Sequence, residues 1–215
     1  MSLLRSAIDL FLHLDVHLQS VITHYGALTY ALLFLIVFCE TGLVILPFLP
    51  GDSLLFAAGT FAARGALHPI ALFVLLSAAA IVGDAVNYLL GAAVGKRAFR
   101  PGARFLNHHH LAKTQAFYDK YGNKAIVLAR FVPIIRTLAP FVAGIGQMPY
   151  SRFAVYNVVG GTAWVGLFVF AGYFFGTIPF VADHFELVIL AIIALSLVPP
   201  IVEYVRGKKK AVAGS

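Results

Sequence analysis

Apolar residues run through this chain in long blocks, and the length of each block limits what it can form. A helix needs about 20 apolar residues to cross the hydrocarbon core of a bilayer. Four stretches qualify: Ala27–Leu46, Pro69–Gly95, Phe153–Gly176 and Phe185–Val205. Residues 1–26 follow another pattern. Leu3, Leu4, Ile8, Phe11, Leu12, Val16 and Leu18 recur at helical spacing among Arg5, Asp9, His13, Asp15 and His17, which predicts an amphipathic helix lying at the interface. No basic start followed by an uninterrupted apolar run precedes it, so a cleavable signal sequence is not expected.

Two more apolar stretches are too broken to cross. Residues 47–63 carry Pro47, Pro50 and Gly51 before an Asp-led apolar run, and 125–148 carry Pro133, Pro140, Gly144 and Gly146 around two arginines. Broken backbone survives at membrane depth only where protein or a water-filled cavity covers it. Both stretches are therefore expected to be re-entrant hairpins, with Pro47, Pro50, Gly51, Pro133 and Pro140 as the breakers. Composition agrees with a membrane setting: of 215 residues 60% are apolar and only 12% charged, against roughly 45–50% and 25% in soluble domains. A single cysteine, Cys39, excludes a disulfide framework or cysteine metal cluster.

The net charge of +7 comes mostly from two segments, Lys96–Lys124 with seven Lys/Arg against Asp119, and the tail Arg206, Lys208, Lys209 and Lys210. Basic residues confined to the loops of an apolar chain mark a cytoplasmic face rather than nucleic acid binding. The turn at 177–184 carries Asp183 and no Lys or Arg, as an outer loop would. Both termini are then expected in the cytoplasm. The organisation predicted is an interfacial helix over 1–26, a membrane transporter domain over 27–206 containing the basic cytoplasmic segment 96–124, and a basic tail over 207–215. Sliding the chain against itself by 85 positions places Phe56–Gly59 over Phe141–Gly144 and Tyr88–Gly91 over Tyr173–Gly176. One crossing separates the two hairpins, so they should enter from opposite faces, an inverted repeat of the kind transporters use. The fold class expected is an all-α polytopic membrane protein with four spanning helices, two opposed re-entrant hairpins and an N-terminal amphipathic helix.

Five charges lie in or beside these apolar segments: Glu40, Asp52, Asp84, Arg130 and Arg136. Placing them at the membrane centre would cost about 12–17 kcal/mol, as much as a typical folding stability of about 5–15 kcal/mol, so they must be paired, hydrated or neutralised. Glu40 and Asp52 flank the first hairpin and the arginines belong to the second. If the hairpin tips meet, opposite signs face each other. Glu40 is a candidate proton carrier, since an apolar setting favours the uncharged carboxyl; Asp52 after Pro50-Gly51 reads as a helix N-cap and is the second candidate proton carrier. Arg130, Arg136 and the neighbouring Thr137 are candidates for phosphate binding, a guanidinium fork gripping phosphate oxygens while freed backbone N–H groups add donors. The alternative is a closed lattice in which the arginines only pair with Glu40 and Asp52.

Asp84, Asn87 and Tyr88 share one helix face and could line a cavity with Asn157, or clamp helices together. His108–His110 reads as solvated surface rather than a metal site, and Tyr150, Tyr156 and Trp164 as interface or packing aromatics. No nucleophile elbow, phosphate loop or His-Glu-x-x-His appears, so neither an enzyme nor a cofactor or metal is expected.

Several long motifs in order carry a resemblance over nearly the whole chain. They are Phe38-Cys39-Glu40-Thr41-Gly42 through Pro47-Phe48-Leu49-Pro50-Gly51-Asp52, Val82-Gly83-Asp84 through Asn87-Tyr88, Ala129-Arg130-Phe131-Val132-Pro133-Ile134-Ile135-Arg136-Thr137, Ala139–Gly144, and Ala171–Gly176. The sequence resembles the DedA family of bacterial inner-membrane proteins, which share the VTT or SNARE-associated domain. The resemblance implies opposed re-entrant hairpins and a role in returning undecaprenyl phosphate, the lipid carrier of wall synthesis, across the inner membrane. It also implies links to membrane potential, proton-dependent drug and alkaline tolerance and cell division; eukaryotic relatives scramble ordinary phospholipids. Glu40, Asp52, Arg130 and Arg136 fall on the family's functional acidic and basic positions. The expected function is a flippase for a lipid phosphate driven by the proton motive force. The partners are a lipid phosphate, protons and membrane lipids, without nucleic acid; assembly into a homo-oligomer is left open. The rivals are a proton-coupled antiporter of small cations or drugs and a non-transporting membrane scaffold.

Overall fold

The computed structural model describes residues 14–43, 51–98, 122–192 and 194, and among them every regular element is helical. α1 (Leu14–Tyr25) turns at Gly26 into α2 (Leu28–Gly42), and α3 (Gly51–Ala63) leads to α4 (Pro69–Ala98). A 3₁₀ turn, Gly122–Lys124, precedes α5 (Ala125–Ala129), α6 (Pro133–Ile145), α7 (Tyr150–Phe175) and α8 (Pro179–Asp183); the chain is helical again over 185–192.

Two of the four expected crossings have the length required. Pro69–Val94 and Tyr150–Phe175 are each 26 residues, long and apolar enough to cross a membrane. α2 has 15 residues, shorter than a full crossing, and residues 44–46 of the expected segment lie outside the described residues. The expected crossing over 185–205 lies largely outside them too, as do the first half of the interfacial helix, Pro47, Pro50, His108–His110 and the basic tail. Burial runs inside out compared with a water-soluble protein: Glu40, Asp84 and Arg130 are buried while Leu32, Leu35, Val74, Val155, Val159 and Leu167 are exposed. An outer shell of that composition suits a hydrocarbon solvent.

In the two regions expected to be hairpins the described helices are short, and one expected breaker is corrected. α3 is buried along its length apart from Asp52 and Ala63, the cover that a short helix at membrane depth needs. In the second region the chain breaks between α5 and α6, over Arg130–Val132. Val132 is extended (φ −125°, ψ 102°), as a residue before proline prefers, and Pro133 occupies the first turn of α6. Pro140 does not break the chain. It sits inside α6, where its missing N–H and ring leave the carbonyl of Arg136 without the usual i+4 donor while the helix continues.

The short helices pack on the long ones crosswise between the two halves. A Cβ at Gly59 of α3 would run into the carbonyl of Val169 on α7, and one at Gly172 of α7 into that of Phe56 on α3. In the other half a Cβ at Gly144 of α6 would run into the carbonyl of Tyr88 on α4, and one at Gly91 of α4 into that of Phe141 on α6. Glycine is required at these four positions because backbone meets backbone. Chain directions follow from the contacts. Asp52 meets Trp164 and Thr60 meets Gly172, so α3 runs parallel to α7; Asn87 meets Thr137 and Gly91 meets Phe141, so α6 runs parallel to α4. Asn157 meets Ile81 and Phe170 meets Phe73, so α4 and α7 are antiparallel, and α3 and α6 run in opposite directions. Gly59 and Gly144 are 85 positions apart, as the sequence match has them, but Gly91 and Gly172 are 81 apart. The long-helix part of that match is therefore out of step by one helical turn.

Candidate functional site

Two ion-pair centres occupy the interior, built from five helices and the break before α6. The first is held by Arg136 in the opening turn of α6. Its Nη2 donates to Glu40 Oε1 at 2.6 Å and its Nη1 to Asp52 Oδ1 at 2.7 Å. Glu40 comes from the last turn of α2 and Asp52 from the first turn of α3, so one guanidinium ties three helices. Gly51 is where this geometry needs a glycine: a Cβ there would overlap the Glu40 carboxylate. Asp52 lies inside the first turn of α3, one residue past Gly51, where a carboxylate still complements the helix dipole. Its Oδ1 accepts from Arg136 and from the indole N–H of Trp164 at 2.8 Å.

The second centre belongs to Arg130, at the end of α5. Its Nη2 donates to Asp84 Oδ2 at 2.5 Å and to Asn157 Oδ1 at 2.7 Å, and Asn157 in turn donates Nδ2 to the Ile81 carbonyl at 2.9 Å. The break over 130–132 makes this division: it leaves Arg130 facing the long helices α4 and α7 and puts Arg136 against α2 and α3. Of the alternative lattice joining both arginines to Glu40 and Asp52, only the Arg136 part is formed; Arg130 pairs with Asp84. The shared face of Asp84, Asn87 and Tyr88 divides its work. Asn87 donates Nδ2 to the carbonyls of Thr41 (3.1 Å) and Thr137 (2.8 Å), joining α2 to α6 across α4. Tyr88 donates its hydroxyl to the Met148 carbonyl and stacks on Phe153 with ring centroids 4.5 Å apart, a clamp between helices rather than a lining. Thr137 is buried, with its carbonyl toward Asn87.

Trp164 is the residue the sequence reading passed over as an interface or packing aromatic. It is fully buried, and its ring lies 4.8 Å from Arg136 Cζ and 5.8 Å from Arg130 Cζ. A signal was available: Asn157, Gly161 and Trp164 stand at i, i+4 and i+7, one face of α7. Gly161 makes the room, since a Cβ there would come within 3.3 Å of Arg130 Nη2.

All five charges are gathered, three acids and two bases, leaving one negative charge in excess when every group is ionised. Asp84 Oδ1, Asn87 Oδ1, Arg130 Nε and Nη1 and Arg136 Nε are buried without a hydrogen-bond partner among the described residues. Leaving such a group unsatisfied costs about 1–3 kcal/mol, more when charged. The arrangement therefore has donor and acceptor capacity to spare in a low-dielectric interior. Among the described residues no group of three His, Cys, Asp or Glu could hold a metal ion.

Residues 49–174 match the model of the VTT domain. The chain is 53% identical over 214 residues to Protein DedA of Escherichia coli K12, covering 98% of both chains. It is 41% identical over 186 residues to the uncharacterized membrane protein Rv0364 of Mycobacterium tuberculosis H37Rv (85% of this chain, 81% of the relative). It is 34% identical over 176 residues to the inner membrane protein YghB of Escherichia coli K12 (81% and 80%). No solved structure matches.

Proposed function

Because the chain belongs to the VTT-domain family of DedA-like membrane proteins, we propose that it is a transporter moving a lipid phosphate between leaflets. The substrate class is a polyprenyl phosphate such as undecaprenyl phosphate, or a related phospholipid, in the bacterial inner membrane, and the movement is coupled to the proton gradient. No covalent step is involved, so the chain acts as a carrier and not as an enzyme.

The observation that carries this reading is a pair of buried guanidiniums, Arg130 and Arg136, held by carboxylates in the interior. Carboxylate oxygens stand on Arg136 where phosphate oxygens would, 2.6 and 2.7 Å from its terminal nitrogens. Protonation of Glu40 and Asp52 removes their hold on that fork and leaves Arg130⁺, Arg136⁺ and Asp84⁻. A singly charged phosphate then brings the site to neutrality. Neutrality matters because each unbalanced charge moved across 100 mV involves about 2.3 kcal/mol, before desolvation. The unsatisfied Nε atoms of both arginines and Nη1 of Arg130 supply the remaining donors.

The crosswise glycine packing and the opposed directions of α3 and α6 support an inverted repeat of two re-entrant hairpins among four crossings. In this architecture the hairpins rock against each other, the head group passes between them, and the polyprenyl tail stays in lipid. The basic segments Lys96–Lys124 and Arg206–Lys210 support both termini in the cytoplasm.

A second reading is favoured by one feature: both terminal nitrogens of Arg136 are engaged by carboxylates. In a proton-coupled antiporter of small cations or drugs the acids carry the function and the arginines hold them. Arg136→Lys separates the two, since an ammonium keeps the charge but loses the fork: phosphate transport falls strongly, whereas cation exchange persists. The deciding assay is leaflet-resolved movement of labelled undecaprenyl phosphate in liposomes, with and without a pH gradient. Movement accelerated by the gradient and abolished in Arg130→Ala/Arg136→Ala is expected. A rate unchanged in that double variant removes the reading.

A further inference from the structure

The two ion-pair centres are built on different arginines, and one side chain touches both. Trp164, in the middle of α7, donates its indole N–H to Asp52 Oδ1 at 2.8 Å, the same oxygen that accepts from Arg136. Its ring face lies beside the guanidinium of Arg136, 4.8 Å from Cζ, and beside that of Arg130, 5.8 Å from Cζ. Two like-charged guanidiniums against one indole repel each other, and each gains from the negative face of the ring, by about 0.5–2 kcal/mol when desolvated. The indole is enclosed on every side, and the helix that carries it also carries Asn157, which orients Arg130. A shift of either guanidinium changes the field at the ring, and through the N–H the orientation of the Asp52 carboxylate.

We propose that Trp164 is a positioning residue that couples the two centres, so that release of one arginine from its carboxylate is felt by the carboxylate of the other. In the transport cycle this links arrival of the head group at Arg130 to loosening of the Asp52–Arg136 pair. That consequence rests on the lipid-phosphate reading above; the coupling itself does not.

Trp164 is the only tryptophan in the chain, which makes the protein its own reporter. The first experiment needs no substrate: the emission spectrum of the full chain in lipid nanodiscs is compared with Asp52→Asn and Asp84→Asn. Asp52→Asn changes a direct partner of the indole and shifts the emission. Asp84→Asn is the informative variant, because Asp84 bonds Arg130 and not the indole. A shift of emission in Asp84→Asn is expected. An Asp84→Asn spectrum superimposable on wild type overturns the coupling. If Asp84→Asn does not fold, Asn157→Ala, which removes one of the two acceptors of Arg130 Nη2 without changing the charge, is read in the same way.

The second experiment measures transport per folded molecule. Trp164→Phe keeps a ring beside both guanidiniums but removes the N–H from Asp52, and Trp164→Leu removes both. Rates lowered about threefold and tenfold in that order are expected, tenfold corresponding to about 1.4 kcal/mol. A merely structural tryptophan would lower the yield of folded protein and leave the rate per folded molecule unchanged, and that result overturns the proposal. Should wild type move no lipid phosphate, the transport reading fails while the emission comparison still decides the coupling.

Discussion

Removing the charge of Arg136 separates what the buried charges do for the fold from what they do in the proposed transport. At 2.6 and 2.7 Å each carboxylate gains about 6 kcal/mol of Coulomb attraction at an effective dielectric near 20. Taking three ions out of water costs several kcal/mol apiece, so the cluster nets little over an uncharged equivalent. The asymmetry survives this cancellation. Arg136→Gln leaves the buried Glu40 and the half-buried Asp52 side by side without their shared cation, and should lower the unfolding free energy by about 3–5 kcal/mol. Glu40→Gln, Asp52→Asn and Arg136→Gln together keep size and hydrogen-bonding capacity while removing all three charges, and most of the lost stability should return. Unfolding in lipid bicelles and leaflet-resolved transport, measured on the same preparations, give opposite expected outcomes for the triple variant: near-wild-type stability and no transport. A triple variant as unstable as Arg136→Gln would refute the electrostatic argument. One that transported at the wild-type rate would refute the functional role of the cluster.

Asp84→Leu should destabilise by about 3–5 kcal/mol by leaving the Arg130 guanidinium buried without its acid, and Arg130→Met in the same chain should recover much of this in the same unfolding assay. Gly59→Ala and Gly144→Ala should each cost about 1–3 kcal/mol or more, because the added methyl meets backbone carbonyls that cannot give way. Gly166→Ala, which meets side-chain ring edges alone, Phe73 at 3.3 Å and Phe170 at 4.0 Å, should cost less than either in the same thermal melts. Tyr88→Phe should lose about 1–3 kcal/mol, since the Met148 carbonyl loses its donor while the stack on Phe153 remains.

The chain by itself determined the solvent and the inventory. Few charges and long apolar blocks required a membrane, and Pro133 after Val132 marked the break that aims the arginines, because proline forces its predecessor out of the helical region. Five charges in such a setting had to meet, since none could stand alone in hydrocarbon. Pro140 was misjudged from the same rule, because one missing N–H inside a packed helix costs less than abandoning the helix's contacts.

Only the tertiary structure decided who pairs with whom. Arg130 and Arg136 are equivalent as residue types, and no local pattern distinguishes Asp84 from Asp52 as a partner; the choice lies in which faces α4 and α7 turn toward the break. The crosswise packing of α3 on α7 and α6 on α4 was likewise unreadable, because the glycines that permit it look the same whichever long helix they meet. Trp164 was hidden for a related reason. A tryptophan in an apolar helix can serve lipid, packing or charge, and its role is fixed by what distant parts of the chain bring to its two faces and its single N–H.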